Sequence, residues 1–242
     1  GLEWEIAHPW ERVEITNADP RPDAPAPLAA WHLYHQASLL EQEPGPNALL
    51  AAAPGRLTVE PYQLVPVLRA LALPRPRLLL AHGVGLGKTI QASLIAAELI
   101  ARRRAHRIII VTPAGPLLRQ WDHELRHRFG LRPTILADAA TLRAHALGRE
   151  LGGNPFDSTA LCLTSMDFAK QEDVLADIER SAWDLAIIDE AHHCAAAGLG
   201  DTRRRRLAEV LAARADGLML LTATPHDGDD AHLRCQLTGQ RA

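Results

Sequence analysis

Two short stretches carry the residue types that phosphate chemistry needs: His82-Gly83-Val84-Gly85-Leu86-Gly87-Lys88-Thr89 and the acidic pair Asp189-Glu190. In a glycine loop that opens a helix, successive backbone N–H groups turn inward as an anion cradle and the positive end of the helix dipole faces the same spot. Lys88 would reach the outer phosphates and Thr89 would hold Mg²⁺, so the ligand expected is a nucleoside triphosphate. His82 stands where the usual Gly-x₄-Gly-Lys-Ser/Thr spacing wants a glycine, and a glycine-rich connection in an ordinary α/β domain is the competing reading of the stretch. Asp189 would bind the magnesium, and Glu190 would orient and deprotonate the water that attacks the γ-phosphate, which makes hydrolysis the expected reaction. An acidic pair at a strand end can also simply cap a helix; the upstream phosphate loop favours catalysis.

These groups must be held by a scaffold, and the apolar pattern says which kind. Short apolar runs near Leu78–Ala81, Arg107–Val111, Thr134–Leu136, Leu161–Thr164, Leu185–Asp189 and Leu218–Thr222 alternate with longer helical patterns, including a largely buried helix from Ile90 to Arg103. Alternation of this kind predicts βαβ units, and runs without polar interruption predict strands covered on both faces. The expected architecture is a three-layer α/β sandwich with a mainly parallel sheet and with both clusters at the carboxyl ends of strands, where such sheets bind ligands. Residues 1–56 read differently: a Trp-containing stretch, the proline-rich Asp19–Pro27 linker, then a helical pattern ended by Pro44-Gly45-Pro46. They are expected to form a small accessory region before a main domain over 57–242.

Composition narrows the setting. With 47% hydrophobic residues the chain can bury a core, and no apolar run approaches the eighteen or so residues that span a bilayer. The first residues, Gly1-Leu2-Glu3-Trp4, do not read as a signal peptide, and a cytoplasmic location without membrane association is expected. Cys162, Cys194 and Cys235 are too few and too irregularly spaced for a disulfide framework or a zinc site. The net charge is −3, so any nucleic-acid contact must be local, and lysine is confined to Lys88 and Lys170 in a chain otherwise cationic through arginine.

Leu220-Leu221-Thr222-Ala223-Thr224-Pro225 ends another apolar run with two hydroxyls that either sense the phosphate site or are β-formers before a turn. Taken together, these residues resemble the superfamily-two helicases, and more narrowly the SWI/SNF-like and RapA/HepA-like translocases. Gly85-Leu86-Gly87-Lys88-Thr89-Ile90 is similar to their motif I and Asp189-Glu190-Ala191-His192 to motif II, the DEAH box. Thr112-Pro113 through Gln120-Trp121 and Glu124 is similar to motif Ia, Leu163–Asp167 to the next DNA-facing motif, and Thr222–His226 to motif III. Pro61-Tyr62-Gln63 resembles the Q motif, and the resemblance spans about Leu57 to Leu233. Phage-defence translocases of the DISARM type are one candidate relative among bacterial SWI/SNF-like proteins. The family commonly has acidic residues where His82 and Gly83 stand and a basic one near His193-Cys194, so nucleotide affinity is open to change at those positions.

The resemblance implies a RecA-like P-loop NTPase lobe that binds Mg-ATP and couples its hydrolysis to movement on nucleic acid, with double-stranded DNA as the expected track. It implies that Gln63 reads the adenine edge, that His192 with Thr222 and Thr224 couples the nucleotide site to the rest of the motor, and that Thr112, Arg119, Gln120, Thr164 and Ser165 face the phosphodiester backbone. Each of these last has a local alternative, a turn hydroxyl or a solvated arginine. It further implies a second RecA-like lobe of the parent chain carrying an arginine finger; no motif of that lobe is read within these 242 residues, which alone would turn over slowly. Partners in a defence or transcription complex are left open. The Arg203–Arg206 run reads as a solvated helix face before a DNA patch. His192, His193 and Cys194 project in divergent directions and do not make a zinc cluster. A small-molecule P-loop kinase and a nucleotide-gated scaffold are the alternative functions; the first would need an acceptor site and lid, and the intact Glu190 argues against the second.

Overall fold

The computed structural model describes residues 49–51, 60–81, 83, 85–146, 153–195 and 202–223. The accessory region read at 1–56 lies outside them apart from residues 49–51, as do His82, Val84 and Thr224. The element order is α1 (Pro61–Ala72), β1 (Arg77–Ala81), α2 (Lys88–Ala101), β2 (Ile108–Thr112), α3 (Pro116–Phe129), β3 (Thr134–Ile135), α4 (Ala139–Ala146), β4 (Leu161–Ser165), α5 (Met166–Ala169), α6 (Glu172–Arg180), β5 (Trp183–Ile188), α7 (His192–Ala195), α8 (Thr202–Arg214) and β6 (Ala215–Thr222). The six strands form one sheet in the order β1-β6-β5-β2-β4-β3, and every pairing is parallel.

Strict alternation along the buried strands divides the core in two, because successive side chains of a strand point to opposite faces. Ile108, Ile110, Leu163, Leu185, Ile187, Met219 and Leu221 meet α1, α2 and α3 on one face through Val67, Leu94, Ile95, Leu99 and Leu125. Ile109, Val111, Cys162, Ala186, Ile188, Leu218 and Leu220 meet α5, α6 and α8 on the other through Met166, Phe168, Leu175, Ile178, Leu207 and Leu211. All five residues of β2 and of β4 are buried, so the unbroken apolar runs report strands covered twice, and each fully buried Ile or Leu contributes about 1.5–3 kcal/mol. Helix α2 is buried at nine successive positions, Gln91 to Leu99, as befits the helix that follows the glycine loop into the middle of a layer.

Sheet order brings the two chemical clusters together. Strand β6 lies between β1 and β5, with Ala81 paired to Thr222 and Ile188 to Leu220. The glycine loop leaves β1, Asp189 and Glu190 leave β5, and Thr222 closes β6, so all three sit at one carboxyl edge.

Candidate nucleotide site

The loop after β1 has its backbone dictated by glycine. Gly85 and Gly87 adopt φ of +83° and +78°, the left-handed region in which a side chain costs roughly 1–2 kcal/mol. Gly87 is the N-cap of α2, and a Cβ there would run into Gln63 Nε2, whereas one at Gly85 would meet nothing within 4 Å. Gly87→Ala is therefore expected to lower thermal stability by at least that strain energy, about 2–4 °C in Tm per kcal/mol for a chain of this size, and to weaken nucleotide binding with it. Thermal unfolding and nucleotide titration of the same sample check both.

Gln63 is nearly buried, at 8% exposure, and ties α1 to this loop. Its Oε1 accepts the backbone N–H of Glu60 at 3.1 Å, while Nε2 donates to Leu86 O at 3.3 Å and to the Tyr62 hydroxyl at 3.4 Å. Gln91 Nε2, from α2, donates to the same Leu86 carbonyl at 3.4 Å. Lys88 folds its ammonium back on the loop, Nζ donating to Gly83 O at 3.2 Å, and Thr89 follows it, partly exposed, on the first turn of α2.

Asp189 stands one residue beyond β5 and is 5% exposed. Its backbone N–H still donates to Val111 O at 2.8 Å, so the chain holds sheet geometry up to the acid. The carboxylate is clamped: Oδ2 accepts the indole N–H of Trp121 at 2.8 Å and Oδ1 the backbone N–H of Glu190 at 2.9 Å. Burial pushes the Asp189 carboxyl above its ordinary value, the Trp121 hydrogen bond opposes that, the Glu190 charge adds to it, and the Lys88 ammonium acts across the site to lower it. The charges of Lys88 and Glu190 thus both act on Asp189.

Glu190 takes φ of +49°, uncommon for a residue with a side chain and frequent at functional turns. The turn is pinned by Ala191 N–H to Leu221 O at 2.8 Å and by His193 N–H to Glu190 O at 3.0 Å. Glu190 Oε2 is buried and accepts no hydrogen bond of good geometry among the described residues, although His192 Nδ1 stands 3.2 Å away. The same Nδ1 is 3.3 Å from Thr222 Oγ1, so His192 bridges the tips of β5 and β6. His193, exposed beside His192 and Arg204, is held below its ordinary imidazole value, chiefly by the desolvation it does undergo and then by the His192 charge.

A carboxylate on the same sheet edge as a threonine hydroxyl and a glycine loop suits magnesium, which binds through one or two carboxylates together with phosphate oxygens. No cluster of three or more His, Cys, Asp or Glu side chains able to hold a metal by themselves occurs among the described residues. A metal held jointly with a triphosphate fits this donor set.

The residues read as facing nucleic acid divide. Arg119 and Gln120 are exposed on α3. Thr112, Thr164 and Ser165 are buried and their hydroxyls are engaged inside the protein: Thr112 Oγ1 donates to Pro113 O at 3.4 Å, Thr164 Oγ1 to Leu136 O at 2.6 Å, and Ser165 Oγ accepts Phe168 N–H at 3.2 Å as the cap of α5. The arginine run of α8 reaches neighbouring acids, with Arg204 2.8 Å from Asp167, Arg205 3.3 Å from Glu209 and Arg203 3.9 Å from Glu172, so it braces helices.

Trp121 is the site residue whose role the sequence did not reveal. Its signal was a large aromatic at an inward position of a helix otherwise rich in Arg, His and Glu.

A family model described as type III restriction enzyme, res subunit (ResIII), matches residues 57–227. The chain belongs to the ResIII family. The ResIII lobe is similar to the RNA polymerase-associated protein RapA of Yersinia pestis (strain Pestoides F), with 36% identity over 179 residues, 73% of this chain and 18% of that protein. RapA of Yersinia pseudotuberculosis serotype O:1b (strain IP 31758) matches to the same extent. The chain thus spans about a fifth of the length of these relatives, 18%. Among solved structures the Pyrococcus furiosus Hef helicase domain superposes with a TM-score of 0.57 at 19% identity, over 73% of this chain and 36% of that one, a likeness of fold. The ResIII lobe is an N-terminal, RecA-like lobe of the superfamily-two helicase type. No helix among its described residues is long and apolar enough to cross a membrane.

Proposed function

We propose that this lobe binds Mg-ATP at the shared edge of β1, β6 and β5 and, in its parent protein, couples hydrolysis to translocation on duplex DNA together with a second RecA-like lobe. The observation that carries the reading is the convergence of Lys88, Thr89, Asp189 and Glu190 on one sheet edge, with the Lys88 charge felt by Asp189. Lys88 Nζ leaves the Gly83 carbonyl for the outer phosphates. Thr89 and Asp189 would hold the magnesium, which when bound would supply positive charge to the phosphoryl oxygens. Glu190, whose buried Oε2 has His192 Nδ1 3.2 Å away and no hydrogen bond of good geometry, orients water and takes its proton at Oε2. Gln63 reads adenine by exchanging its long bonds to Leu86 O and the Tyr62 hydroxyl for the base edge. Arg119 and Gln120 on the outer face of α3 supply side-chain contacts to the DNA backbone, and His192 with Thr222 and Thr224 relays the state of the nucleotide. The main domain begins near residue 57, after an accessory arm, and the setting is cytoplasmic.

An arginine finger from a second lobe is worth roughly 10³–10⁵ in rate, or about 4–7 kcal/mol of barrier. The 242 residues assayed by themselves are therefore expected to bind Mg-ATP and to release phosphate slowly with or without DNA. Equilibrium nucleotide binding and steady-state phosphate release, each with and without duplex DNA, test the reading. Absence of Mg-ATP binding would refute the site, and brisk DNA-stimulated turnover would refute the need for a finger in trans.

A further inference from the structure

Asp189 is held by two donors from two different elements. One is the Glu190 amide at 2.9 Å, which follows from the turn itself; the other is the indole N–H of Trp121 at 2.8 Å, from a residue 68 positions earlier on α3. Trp121 is fully buried and packs with Leu125 in the core beneath the sheet, so its ring cannot swing without disturbing that layer. An indole N–H donates and cannot accept, and it cannot move to another partner as a hydroxyl can. With the N–H fixed, the plane of the carboxylate is fixed as well.

We infer that Trp121 is the positioning residue for Asp189, setting the carboxylate in the orientation that receives magnesium and so tying helix α3 directly to the nucleotide site. This rests on Asp189 holding the magnesium. Hydrogen-bond partners that orient a ligating carboxylate typically tune metal affinity by about 10- to 100-fold. Trp121 contributes no ligand atom, and its effect is confined to the metal-dependent part of binding.

The test is a titration of the 242-residue chain with MgCl₂ in the presence of a non-hydrolysable ATP analogue, paired with the affinity for the same analogue in EDTA. Trp121→Phe keeps an aromatic ring in the core and removes the donor; it is expected to raise the half-saturating MgCl₂ about 10- to 100-fold and to leave the EDTA affinity unchanged. A folded Trp121→Phe chain with the unaltered half-saturation overturns the inference, as does a loss of affinity equal in MgCl₂ and EDTA, which marks a merely structural ring. Asp189→Asn separates the underlying reading: if that variant keeps the unaltered MgCl₂ dependence, Asp189 does not hold the metal and the inference falls with it. Should Trp121→Phe fail to fold, the unaltered chain with ¹⁵N-labelled indoles serves. The Trp121 N–H resonance, identified as the indole signal displaced in Asp189→Asn, is expected to shift when MgCl₂ joins the analogue and to stay in place with analogue in EDTA. No shift on adding MgCl₂ overturns the positioning role.

Discussion

Lys88→Ala is expected to reduce ATP affinity by about 100-fold or more, because each charge-assisted hydrogen bond it would make to phosphate is worth about 1.5–3 kcal/mol and every 1.4 kcal/mol is a factor of ten. The reason for expecting a large loss lies in the site's charge balance. The acid pair Asp189-Glu190 sits at the same edge, and the Lys88 ammonium is the cation that offsets Asp189 from the loop side. Without it a polyanion would approach two carboxylates with the loop amides and magnesium as counterweight. The side chain is only partly buried and its ammonium donates to Gly83 O at 3.2 Å, outside the two apolar cores, so the fold should survive its removal. Calorimetric titration with ATP and MgCl₂ measures the change, and unaltered affinity in a folded Lys88→Ala chain would contradict the assignment of the loop.

Glu190→Gln should divide binding from chemistry in the opposite sense. Glutamine accommodates the φ of +49° no worse than glutamate and keeps the length of the side chain, so the turn fixed by Ala191 and His193 should persist. The amide cannot take a proton, and loss of a positioned general base typically costs 10²–10⁴-fold in rate. ATP affinity is expected to stay within about a factor of two, far below a 1.4 kcal/mol change. Single-turnover hydrolysis is the measurement, since slow steady-state release in the lobe alone would hide the difference. Equal single-turnover rates in the two chains would remove Glu190 from the reaction.

The sheet was legible because its strands advertise themselves. Ile108 to Val111 and Leu218 to Leu221 have no polar interruption, and a strand covered on both faces needs none. The ends were less so. Asp184 and Asp216 make β5 and β6 look shorter than they are, and Asp184 earns its place by accepting the His106 and Arg107 amides at 2.6 and 2.9 Å, a bond across the fold that no local pattern announces. The same limit governed the site. A glycine loop before a helix and paired acids after a strand are written within ten residues each, and topology then unites them. Whether a hydroxyl is offered outward or spent inward depends on an acceptor elsewhere. Thr164 reads as a contact to a nucleic-acid backbone, yet its hydroxyl lies 2.6 Å from Leu136 O, and Trp121 reads only as part of a motif on α3, yet its indole donates to Asp189.

The place of β6 between β1 and β5 has one more implication. Parallel neighbours lie about 4.7–4.9 Å apart, so the glycine loop and the acid pair are rooted on strands about 9–10 Å from each other, an interval inherited from main-chain pairing rather than from any side chain. The gap should accordingly tolerate free exchange among Leu218, Met219, Leu220 and Leu221 for residues of like volume. Adding or deleting a single residue within that strand would carry Thr222 away from His192 and turn the buried faces over, so evolution here can repaint the spacer but cannot lengthen it.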